Sequence, residues 1–134
     1  MDTSTPRGWP ERVRPPGADG WREQAVEQLL ESCPPEFRGL PLLTRHPWVL
    51  AVFAARSVSG QQSVARAAVA EVRAELDGRV EPQVVQAAVD LWQSEAARLE
   101  RVAREVTLLR QALAGDRFVP TMSGGWSARH LWMS

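Results

Sequence analysis

Lysine, isoleucine, asparagine and tyrosine are absent from this chain of 134 residues, and cysteine occurs once. All four missing types have A/T-rich codons, so a GC-rich bacterial source explains the set. Arg, Ala, Val and Leu then become default choices, and their abundance carries no functional information. The single Cys33 excludes an intramolecular disulfide and any CxxC metal or redox motif, which fits a cytoplasmic setting. Net charge is also missing: sixteen basic residues, all Arg, balance sixteen acidic ones. The charges are interspersed, so no broad field is available to neutralise a phosphate backbone, and nucleic-acid binding is disfavoured. No apolar run approaches the ~18 residues of a membrane span, and residues 1–18 lack the apolar centre of a signal peptide. A soluble protein without membrane contact is expected.

Catalytic punctuation is missing as well. There is no Gly-rich phosphate loop, nucleophile elbow, zinc-ligand spacing or Glu-x-x-His pair. The only histidines, His46 and His130, sit at a helix start and near the far end of the chain. Cys33 falls on an apolar stripe and reads as an ordinary small buried residue. These absences point away from an enzyme and from any metal or cofactor.

What the chain does contain is helical periodicity. Residues 46–77 and 82–114 are two long stretches nearly free of internal Pro, separated only by Gly78, Arg79, Val80 and Glu81. Pro47 is tolerated in the first turn after His46, Gly78 suits a left-handed C-cap, and Glu81-Pro82 suits an N-cap and first helical residue. An antiparallel helical hairpin follows. In the second helix Val85, Trp92, Leu99, Val106 and Leu113 recur every seven residues, with Ala88, Glu95, Val102 and Leu109 at the intervening d positions. Glu100 and Arg104 form a helix-supporting pair on its outer face, and Gly115 suits its end. In the first helix Gly60 sits among Ser and Gln residues and costs ~1 kcal/mol relative to Ala, so a kink or close helix contact belongs there if anywhere.

A shorter amphipathic helix over residues 20–32, with Asp19 as a plausible N-cap, places Trp21, Ala25, Val26, Leu29, Leu30 and Cys33 on one stripe. Pro34-Pro35 ends it, and Phe37, Leu40, Leu42 and Leu43 form an apolar connector to the hairpin. The domain organisation is therefore a disordered Pro-rich arm (1–18), a helical domain (19–115) and a tail (116–134). The fold class is all-α: a helical hairpin with a short N-terminal helix. Two hairpins can associate into a four-helix bundle, and a homodimer is favoured over a three-helix monomer.

Two sets of residues are candidate sites. Glu95 occupies a seam position where an unpaired carboxylate is costly. A turn centred between Arg79 and Val80 puts it opposite Val64 and near Gln61, Gln62 and Arg66. This layer is either a structural ion pair that fixes register or a small-ligand or metal site. The second set lies in the tail, where Phe118, Trp126, Leu131, Trp132 and Met133 give an otherwise disorder-prone segment unusual aromatic content. They either pack back on the hairpin or dock on another protein as a short recognition segment. Together these features point to a non-enzymatic interaction module, a regulatory or adaptor protein using a hairpin face and an aromatic tail to bind another protein. The alternatives are a ligand- or metal-binding bundle centred on Glu95 and a structural subunit of a larger assembly.

Overall fold

In the computed structural model, residues 5–118 are described, with side chains through residue 115. Four helices follow one another: α1 (Trp21–Glu31), α2 (Pro41–Arg45), α3 (Pro47–Leu76) and α4 (Pro82–Phe118), with a single 3-10 turn at Pro35–Phe37. No strand occurs among the described residues. The long pair, α3 and α4, forms the antiparallel hairpin.

The hairpin turn follows from its residues. Gly78 adopts φ +79, a left-handed conformation that costs glycine nothing. Arg79 then donates its amide to the Leu76 carbonyl. The Glu81 carbonyl accepts from the amides of Val84 and Val85, and Pro82 fills the first helical position, where a missing N–H has no partner to lose. This turn sets the register. Arg73 reaches Gln86 at 2.7 Å, and Arg110 lies 5.4 Å from the centre of the Trp48 ring, the pairings a turn centred between Arg79 and Val80 requires.

Two buried zones hold the molecule together. The proximal zone, away from the turn, is a three-layer core in which Trp21, Ala25, Leu29 and Cys33 of the α1 region meet Leu50, Ala54 and Val58 of α3 and Val106, Leu109 and Leu113 of α4. Leu43 of α2 closes its end and is fully buried, and Phe37 packs edge-on against Phe53 at 6.0 Å. The distal zone is a two-helix seam in which Ala65, Val85, Val89 and Leu99 are buried.

Several expectations need correction. From residue 5 onward the Pro-rich segment is a folded strap, not a disordered arm. Pro10 and Val13 are buried, the Trp9 indole donates to the Val13 carbonyl at 2.8 Å, and its ring lies 6.2 Å from Trp21. Arg12 grips Gln28 and Glu31 of α1 at 2.8 and 2.5 Å. Proline lowers the entropy lost on ordering such a segment, and two tryptophans supply the burial that its composition otherwise lacks. Asp19 does not cap α1; Gly20, at φ 82, is the N-cap residue. Leu40 and Leu42 of the connector remain exposed. Gly60 marks no close contact, since an added Cβ would meet nothing within 4 Å, and α3 runs through it without interruption. Gly115 does not end α4, which continues to Phe118.

The α4 seam also departs from a strict seven-residue repeat. In the distal half, burial follows Val85, Val89 and Leu99, and Ala88 and Glu95 fall to the margin. The a row at Val85, Leu99, Val106 and Leu113 stays buried, whereas the d row is fully buried only at Leu109, where α1 adds a third layer.

Candidate functional site

The groove between α3 and α4 is the surface that the rest of the fold arranges itself around. On one side of the hairpin α1 lies in it. The Gln28 amide reaches Glu105 of α4 at 3.3 Å, and Gln61 of α3 donates to the Ser32 carbonyl at 3.5 Å. Gln61 therefore marks where α1 stops. Beyond it the same groove runs on toward the turn, bounded by Gln61 and Val64 of α3 and by Trp92 and Glu95 of α4. No described element covers this distal half. Val64 is 59% exposed, Leu91 70% and Val84 46%.

The α4 sequence shows why. Val84, Ala88, Leu91 and Glu95 recur at four-three-four spacing on one stripe, and the stripe continues through Val102 and Leu109. In the proximal half α1 buries it, and Leu109 is fully enclosed. In the distal half it is bare.

The polar layer predicted around Glu95 is only partly assembled. Glu95 is not a buried seam carboxylate. It forms a bidentate ion pair with Arg98 on its own helix, at 2.7 and 2.9 Å, with roughly a third of its side chain exposed. The hydrogen bond from Arg98 is the main influence holding its carboxyl below the ordinary range; partial burial opposes it. Gln61 and Glu95 line the same depression, Gln62 faces a different groove with Glu100 and Thr107, and Arg66 lines neither. Among the described residues no group of three or more His, Cys, Asp or Glu is placed to hold a metal ion. Cys33 is a buried thiol whose pKa is raised by desolvation, which leaves it little thiolate character. His46 is an exposed helix-terminus residue. Of the tail residues, Trp126, Leu131, Trp132, Met133 and the Phe118 side chain lie outside the described part.

The composition-based reading missed a second concave feature. A cavity of about 730 Å³ opens between the strap, α1 and the middle of α4. Its lining includes Trp9, Arg12, Gln28, Arg101, Arg104 and Glu105, and it joins the distal groove at Gln61 and Leu99. The cavity exists because the strap bridges from α1 to α4, where Gly8 sits 3.7 Å from the Leu108 side chain, measured from an ideal Cβ. The expected Glu100–Arg104 pair is not formed, so Arg104 is available at the rim. The spacing of the arginines was legible in the sequence; the strap that turns them into one wall of a cavity was not.

The class that the fold defines is an all-α helical-hairpin protein, with α1 lying against the proximal half of the groove between its long helices. Comparison with protein-family models, with curated proteins and with solved structures yields no match. No helix among the described residues is long and apolar enough to cross a membrane.

Proposed function

We propose that this chain is a non-enzymatic protein–protein interaction module whose distal hairpin groove receives one amphipathic helix of a partner. The observation that carries this reading is the end of α1 beside Gln61, beyond which Val64 of α3 and Leu91 and Val84 of the α4 stripe remain exposed. The proximal half of the groove accommodates a single helix, so its continuation is sized for one helix too, about 10 Å across. Burying the exposed parts of these three side chains contributes roughly 3 to 5 kcal/mol, less than the ~8 kcal/mol of a micromolar complex. A second contact is therefore required. The tail bearing Phe118, Trp126, Leu131, Trp132 and Met133 supplies candidates for it. Helix α4 ends about 40 Å from Leu91 at 1.5 Å per residue.

The test compares immobilised full chain with a Val64→Ser/Leu91→Ser chain in a lysate, identifies what each retains, and titrates the retained protein against both. Binding at least tenfold weaker to the variant is expected. Equal binding to both chains would refute a role for the groove. Light scattering over a concentration series reports the remaining possibility: a dimer abolished by the same substitutions would assign the groove to a second copy.

A further inference from the structure

We draw no further inference here: the strongest candidate, the cavity of about 730 Å³ between the strap, α1 and α4, carries nothing, because its arginines are interleaved with Glu11, Glu31 and Glu105 and none of the polar side chains lining it is buried, so the structure shows no built site for a ligand.

Discussion

Leu91 and Leu109 lie 18 residues apart on α4, about five helical turns at 3.6 residues per turn, and therefore on the same line of the helix. Both are leucine, both continue one apolar stripe, and both sit in well-formed helix. They differ in whether a third layer covers them: Leu109 is enclosed by the α1 layer, and Leu91 is 70% exposed. Truncating each to Ala separates packing from propensity. Leu109→Ala removes a fully buried side chain and leaves a cavity among Trp21, Leu29, Leu50 and Val106 in the same core, which costs roughly 2 to 5 kcal/mol. Leu91→Ala loses only slight burial and gains slightly in helix propensity, so its cost stays within about 0.5 kcal/mol. Urea unfolding followed by far-UV circular dichroism measures both, with an unchanged slope verifying that the midpoints compare stability. The reasoning fails if Leu91→Ala destabilises nearly as much as Leu109→Ala. If that cost grows with protein concentration, the distal stripe is already buried against a second copy.

Three further substitutions test the local readings. Gly60→Ala should stabilise the chain by ~1 kcal/mol, because α3 is continuous there and an added Cβ meets nothing within 4 Å. Gly78→Ala should destabilise by about 1 kcal/mol despite equal open space, because its φ is +79; thermal melts of the pair distinguish backbone strain from crowding. The hydrogen bond from Arg12 is the largest influence lowering the Glu31 pKa below the ordinary 4.5. A depressed carboxylate contributes stability present above its unfolded pKa and lost as pH falls through the folded one. Glu31→Gln should therefore lower the melting temperature slightly at pH 7, and the difference should shrink as the pH falls below 4.5. An equal difference on both sides of that pH would show that the ion pair does not anchor the strap.

Periodicity and punctuation determined the hairpin without help from tertiary structure. Two long stretches free of internal proline, a glycine able to adopt positive φ, and a proline at the first position of the next helix are local properties, and together they specify two antiparallel helices and their register. The short helix was legible for the same reason, because its apolar spacing is complete within eleven residues.

Tertiary structure decided the features that depend on what lies beside each helix. Glu95 reads as an anomaly in a seven-residue repeat, yet it sits at the margin of the seam, where Arg98 pairs with it within the same helix. The segment before α1 has the composition of a disordered arm, yet Trp9 finds Trp21 and Arg12 finds Glu31, contacts between residues that no local pattern connects. The length of α1 relative to the hairpin is also a spatial fact. The α4 stripe runs from Val84 to Leu109 with Glu95 as its one charged member, and the position of α1 beside it divides that stripe into a buried core and an exposed groove. Helical identity is encoded by neighbours three and four residues away; exposure is set by distant parts of the chain.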